Sequence, residues 1–479
     1  MSRHYRIESA LLAEGWVDDV IVSVSDAGLI TEIGSGAPPP GAERIAGIAV
    51  PGMPNAHSHA FQRAMAGATE YRLSARDSFW TWRQAMYALA NRIEPEDLEV
   101  VATQLFVEML KAGYTSVAEF HYLHRRRDAT PYLGTNDLWN AVASAASAAG
   151  IGLTLLPTLY QASDFGGKPL RREQARFALQ TEEFLRAIGE CVDAERRSAA
   201  RAAGGSTAGG SAAAGSVMRT GAAFHSLRAV GLESLREAAA QLRNIDPSLP
   251  VHIHVAEQLR EVEACKRETG RRPIEFLLDS ELLTPQWCLV HATHATPAEL
   301  EGIANKGATV CVSISTEANL GDGFFDANRF LKANGHLCIG SDSQATVCPA
   351  EELRWLEYQQ RLRRKRRGVL ASSDDTHVGT RLWRDAAIHG SRAIGQAAGQ
   401  IAIGRRADWL VLDRRHPSMA GATIDAALDH LIFAGASAAI RDVMVGGRWV
   451  VKDYRHSAEA ALQPRFANVM SRLCGAATT

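Results

Sequence analysis

Between residues 51 and 399 short apolar runs alternate with long amphipathic stretches, and most of the apolar runs stop on a polar residue. The runs end near His57, Glu119 (TSVAEF), Thr158 (IGLTLLPT), His225 (MRTGAAFHS), His254 (LPVHIH), His291 (CLVH), Ser313 (ATVCVS) and Asp342 (LCIGSD). Helical candidates lie between or after them, such as PEDLEVVATQLFVEMLKAG and AEELRWLEYQQRL. Strand–helix alternation of this kind requires a parallel sheet, and eight units over about 300 residues predict an α/β fold, a (β/α)8 TIM-like barrel.

The two ends of the chain read differently. RIESALL and DDVIVSVSDAGLITEIG open the sequence, and GRRADWLVLD (404–413) and DVMVGGRWVVKD (442–453) come near its end, the last with Gly446-Gly447 at a turn. These are hairpin-like, β-branched segments. They predict a small β-sandwich domain built from both termini, residues 1–50 plus 400–460, flanking a barrel of residues 51–399. Residues 461–479 are expected to form a C-terminal helix or tail. Residues 198–216, SAARAAGGSTAGGSAAAGS, are low-complexity and are expected to form a flexible surface insertion.

Composition removes several function classes. Fifty-two Lys and Arg nearly cancel 53 Asp and Glu, which argues against nucleic acid or a membrane surface as the main partner. The basic run RLRRKRRG (361–368) is expected to be a solvated helix face. No 18-residue apolar stretch is present, so no membrane span is expected. MSRHYRIESALL lacks the pattern of a signal peptide, and the seven cysteines are never spaced C-x-x-C. The expectation is a cytoplasmic homodimer with neither a disulfide framework nor a thiolate zinc site.

In a barrel of this type the active site lies where the strands end. His57 and His59, two positions apart in PNAHSHAF, would point the same way. With His254 and Asp342 they would offer three imidazoles and a carboxylate to one divalent ion, with a position left for water. Each residue has a plainer reading. His252 shares the strand of His254, and either could be the ligand; His291 could be a satisfied core histidine and Asp342 a loop cap. The joint pattern weighs against these, because an unpaired Asp or His buried at a strand end costs roughly several kcal/mol.

The blocks PGMPNAHSHAFQRAMAG (51–67), HIHVAEQ, LVHATH, STEANLGDG and GSDS resemble the amidohydrolase superfamily. Together with FWTWRQAMY (79–87), AEFHYLH (118–124) and FHSLRAV (224–230), they resemble its N-formimino-L-glutamate iminohydrolase family, over nearly the whole chain. The resemblance implies a metal-dependent C–N hydrolase releasing ammonia from a formimino group. It implies that His57, His59, His254 and Asp342 hold one divalent ion, usually zinc, and that Glu257, His291 and Asp342 carry the proton transfers. It also points to Gln62, Arg83, Tyr122, His225 and Arg228 as contacts for a small substrate with two carboxylates. Arg forks suit carboxylates, so recognition is expected to rest on cations and not on aromatics. His225 and Arg228, at i and i+3, would share a face if a helix starts there, whereas Arg83 reads equally well as a surface cation among packed rings. Phe224 stands where relatives are expected to have proline. Superfamily members with two metals use a lysine at the fourth strand end. MRTGAAFHS has none, and Lys168 lies in a Gly-rich loop, so a single ion is expected. The competing readings are an amino-heterocycle deaminase and a catalytically inactive scaffold.

Overall fold

The computed structural model describes residues 2–71, 77–132, 137–202 and 217–475. The terminal sheet begins with β1 (Arg3–Leu12), β2 (Gly15–Val24), β3 (Ile30–Gly34) and β4 (Glu43–Pro51). The barrel follows with β5 (Met53–Ser58), β6 (Tyr114–His121), β7 (Gly152–Leu159), β8 (Met218–Thr220), β9 (Ala222–Ser226), β10 (Val251–Val255), β11 (Trp287–His291), β12 (Thr309–Val312) and β13 (His336–Ile339). The chain then returns to the terminal sheet with β14 (Trp409–Leu412), β15 (Ile440–Val445), β16 (Arg448–Lys452) and β17 (Arg455–His456).

The terminal strands form one eight-stranded sheet in the order β17-β16-β15-β14-β4-β1-β2-β3. It curls on itself. The turn at Gly28, between β2 and β3, meets the turn at Gly446, between β15 and β16, so closely that a Cβ on Gly28 would stand 2.3 Å from the Gly446 carbonyl oxygen. Tyr5, Ile7, Trp409, Val411 and Met444 fill the core inside the curl. The alternate residues Ile48, Val50, Leu410 and Leu412 pack into the barrel's own core, as the two-residue period of a strand requires. The predicted C-terminal helix is Glu459–Gly475, docked on helix Pro95–Ala112 through Lys111–Glu459 and Arg472–Asp97 ion pairs. Pro95 at the start of the docked helix, Glu96 and Asp97 in its first turn and Gly113 at φ 110 after its end explain its sharp limits.

The barrel strands run parallel in the order β13-β12-β11-β10-β9-β7-β6-β5, with β8 an extra strand beside β7. MRTGAAFHS, expected as one strand, is broken at Gly221. A side chain there would meet Leu156 at 2.5 Å and Pro250 at 2.8 Å. Phe224 fills its place by stacking on Trp287 with ring centroids 5.7 Å apart. The barrel closes between β5 and β13. The His57 carbonyl accepts from the Ser341 and Asp342 N–H groups at 3.0 Å, and the His59 N–H donates to the Asp342 carbonyl at 3.1 Å. The Asn55 amide donates to Ser341 Oγ at 2.7 Å while its oxygen accepts from the Ser341 N–H at 3.0 Å. Gly340 allows the approach, since a Cβ there would lie 2.7 Å from the His57 oxygen.

The low-complexity insertion was expected to start at 198, but helix Thr181–Ala202 runs through its first residues, and 203–216 lie outside the described residues. The basic run ends helix Pro349–Arg364, where Arg361 pairs with Glu357 and Arg364 with Asp326. No cysteine is disulfide-bonded. Among the described residues no helix is long and apolar enough to cross a membrane.

Candidate active site

Local backbone geometry aims the site. His291 and Asp342 take the left-handed conformation at φ 72 and 45, and Ala256, between His254 and Glu257, does so at φ 53. Each costs roughly 1–3 kcal/mol and is retained where surrounding structure holds it. Here the holding groups are visible: the buried Glu261 carboxylate accepts from the Ala256 and Glu257 N–H groups at 3.2 and 3.1 Å. His291 and Asp342, two of these residues, both line a pocket at the strand ends.

His57, His59, His254 and Asp342 converge, with one ligand atom from each lying within 4.8 Å of all the others. All four are buried. The His59 Nδ1–H donates to the Phe120 carbonyl and the His254 Nδ1–H to the His225 carbonyl, each at 2.9 Å. Both Nε2 lone pairs are thereby left facing the group, and His254 Nε2 lies only 3.0 Å from His57 Nε2. Burial holds all three imidazoles neutral at neutral pH, the His59 pKa falling to about 3. Burial would raise the Asp342 carboxyl, but His57, His291 and His59 outweigh it and keep it ionised. Neutral nitrogens crowded against a carboxylate, with lone pairs aimed at one point, fit a borderline divalent cation. His252 is not part of the group; its Nε2–H donates to the Ala393 carbonyl at 2.8 Å. Lys168 is exposed and pairs with Asp164, away from it.

His291 and Glu257 flank this group. His291 Nε2 is 3.7 Å from Asp342 Oδ2 and 3.8 Å from Glu257 Oε1. Burial lowers the His291 pKa, but Glu257, Glu317 and Asp342 outweigh it and push it up to about 10. Burial raises Glu257 to about 7, so near neutrality this carboxyl holds a proton part of the time.

One pocket brings together every residue expected to contact substrate: Gln62, Arg83, Tyr122, His225 and Arg228 line it, along with Glu257, His291 and Asp342. Gln62 donates to the Tyr122 hydroxyl at 2.8 Å. His225 and Arg228 do not share a helix face, because the next helix starts only at Leu232. A turn joins them instead, its Ala229 and Val230 N–H groups bonded to the Ser226 carbonyl. Arg83 is not a surface cation. It is 9% exposed in its own chain's pocket, and Arg228 is 8% exposed. Neither forms an ion pair among the described residues, and the Nε of each has no partner. Rings line the pocket as well as cations: Phe79, Trp82, Tyr87, Tyr160 and Phe177 stand beside Tyr122. Their physical effect is to exclude water around the guanidinium groups, and an ion pair strengthens as the local dielectric falls.

Sequence reading missed Glu261 and Glu317. Glu317 is fully buried and accepts from His291 Nδ1 at 3.3 Å and from the Ser313 N–H at 3.2 Å, which leaves His291 Nε2 for the pocket. It lies inside the quoted STEANLGDG block, four residues after the apolar run that ends at Ser313, and an acid so close to a strand end is a signal that could have found it.

The amidohydrolase family profile matches residues 48–450. The chain belongs to the amidohydrolase family. It is 47% identical over 466 residues to the formimidoylglutamate deiminase of Pseudomonas aeruginosa, covering 97% of this chain and 98% of that one. It is 26% identical to a 5-methylthioadenosine/S-adenosylhomocysteine deaminase of Halobacterium salinarum, over 91% and 88% of the two chains. Among solved structures it resembles an amidohydrolase from Brucella melitensis with a TM-score of 0.88 and 39% identity, covering 98% of this chain and all of that one. A zinc-bound adenosine deaminase from Xanthomonas campestris shares the fold, with a TM-score of 0.78 and 20% identity over 98% of each chain.

Proposed function

We propose that this amidohydrolase hydrolyses the formimino group of N-formimino-L-glutamate to N-formyl-L-glutamate and ammonia, a step of histidine degradation, with one zinc ion bound. The observation that carries the reading is the pair Arg83 and Arg228, buried in the same pocket as the ligand group, in no ion pair among the described residues and each with an unpartnered Nε. Two guanidinium groups with free donors in a ring-lined pocket suit an anionic substrate, and a dicarboxylate satisfies both. The 47% identity to a formimidoylglutamate deiminase supports the same substrate.

A divalent ion bound by His57, His59, His254 and Asp342 would polarise water, lowering its pKa to about 7. The chain's own residues then account for orientation and proton movement. Asp342 Oδ2, ionised and 3.7 Å from His291 Nε2, accepts the proton of the attacking water. His291, its Nδ1–H given to Glu317, offers Nε2–H to charge developing on the attacked carbon's substituents. Glu257, protonated part of the time near neutrality, donates to the departing nitrogen so that it leaves as ammonia. Arg83, Arg228, His225 and Tyr122 bind the amino-acid end, and the surrounding rings keep water from it.

The same rings would suit an amino-heterocycle, the substrate class of the competing deaminase reading. That reading leaves the two cations without a purpose. Incubating the zinc-loaded protein with N-formimino-L-glutamate and, separately, with adenosine and guanine decides between them. Ammonia release from the first substrate alone is expected; preferential release from a purine would overturn the proposal.

A further inference from the structure

Trp80 sits at the start of helix Phe79–Ala90, its N–H accepted by Ser78 Oγ at 3.3 Å. Three guanidinium groups gather around its indole. The Arg83 guanidinium carbon lies 4.5 Å from the ring centroid, that of Arg260 4.4 Å and that of Arg228 5.9 Å. Arg83 and Arg228 repel each other; Glu261 and Glu257 offset part of the Arg228 charge from a distance, but among the described residues neither arginine forms an ion pair. Among aromatic rings, tryptophan offers a cation the most favourable π face. Arg260 is exposed and comes from a separate helix, Leu259–Thr269.

We infer that Trp80 is a specificity-determining residue, bracing Arg83 and Arg228 as a preformed receptor for two carboxylates, with Arg260 seating the indole from outside. The arrangement solves a problem of order. An acidic brace would neutralise the arginines and compete with substrate, whereas an aromatic one holds them in position and leaves their N–H groups free. Substrate carboxylates then meet donors already placed, and less binding energy is lost in ordering them. The ring contacts of Trp80 among the described residues are to Phe79, Arg83, Arg228 and Arg260 and not to the histidines of the ligand group, so its effect is expected on binding.

The inference rests on the dicarboxylate reading of the pocket, and the test separates the two. Steady-state turnover of N-formimino-L-glutamate and calorimetric binding of glutarate, a dicarboxylate without a formimino group, are measured for the wild type, Trp80→Leu and Trp80→Phe. Losing a desolvated cation–π brace is expected to raise KM and weaken glutarate binding about tenfold in Trp80→Leu, with kcat within about twofold and most of the loss restored in Trp80→Phe. An unchanged KM, or a fall in kcat matching a fall in Tm, would overturn the inference. Should Trp80→Leu fail to fold, Arg260→Met replaces it, since Arg260 is exposed. There a rise in KM of about two- to fivefold is expected, and none would refute the seating role. If the wild type binds glutarate through Trp80 but does not turn over N-formimino-L-glutamate, the proposed reaction falls and the inference stands.

Discussion

Gly340→Ala is a one-methyl test of how the barrel seam builds the site. The new Cβ would lie 2.7 Å from the His57 oxygen, 2.8 Å from its Cβ and 2.9 Å from its nitrogen. Two of these are backbone atoms, so no side chain can rotate away and the seam itself must open. Overpacking of this kind costs about 1–3 kcal/mol. Lengthening the three bonds that join His57 and His59 to Ser341 and Asp342 adds about 0.5–1.5 kcal/mol for each one lost. Melting reports this bluntly, because at ~2.1 cal/mol/K per residue a chain of this size shifts only about 1 °C per kcal/mol. Metal affinity is the sharper readout. His57 and His59 lie on one side of the seam and Asp342 on the other, so opening it misplaces ligands, and disturbing the support of a ligand typically costs ~10–100-fold in affinity. Titration of the zinc-free protein with zinc, followed by turnover at saturating zinc, measures both. Gly34→Ala is the control: no atom lies within 4 Å of its Cβ and its φ is ordinary. A Gly340→Ala protein that kept the control's zinc affinity and kcat would refute the argument that this seam positions the ligands.

The site makes further demands. Asp342→Asn should abolish turnover even where metal is retained, because an amide cannot take the water's proton; kcat above about a hundredth of wild type would contradict the role assigned to it. Elemental analysis of active protein should find one divalent ion per chain, and two would overturn the single-ion reading. Glu317→Gln should lower kcat on the order of tenfold or more while leaving KM within about twofold, since the charged acceptor that orients His291 is lost far from the substrate's carboxylates. A change in KM alone would show that Glu317 serves binding instead.

What could be read from the sequence follows its local signals. The polar ends of apolar runs are visible one run at a time, and His57, His59, His254 and Asp342 all lie at or beside such ends. Strand patterns at both termini likewise marked the second sheet. Other features are set by atoms distant in the chain. The break at Gly221 depends on Leu156 and Pro250, and no feature of MRTGAAFHS itself announces it. Asn55 and Ser341, which lock the seam, are 286 residues apart. The rings of the pocket come from separate segments, Tyr87, Tyr160 and Phe177 among them, so a motif scan sees each only as core. Arg83 illustrates the limit: among WTWRQAMY it reads equally well as surface cation or ligand contact, and only burial without an acidic partner separates the two.

The central claim is that substrate choice is made by a carboxylate receptor opening onto the ligand group. The measurement that tests it most directly is kcat/KM for N-formimino-L-glutamate against formiminoglycine, in the wild type and in Arg228→Met. At about 1.5–3 kcal/mol for each charge-assisted hydrogen bond, the missing distal carboxylate should cost roughly tenfold to a hundredfold. Arg228→Met should narrow that gap by damaging the glutamate substrate most. Equal kcat/KM for the two substrates in the wild type, or undiminished selectivity in Arg228→Met, would contradict the account.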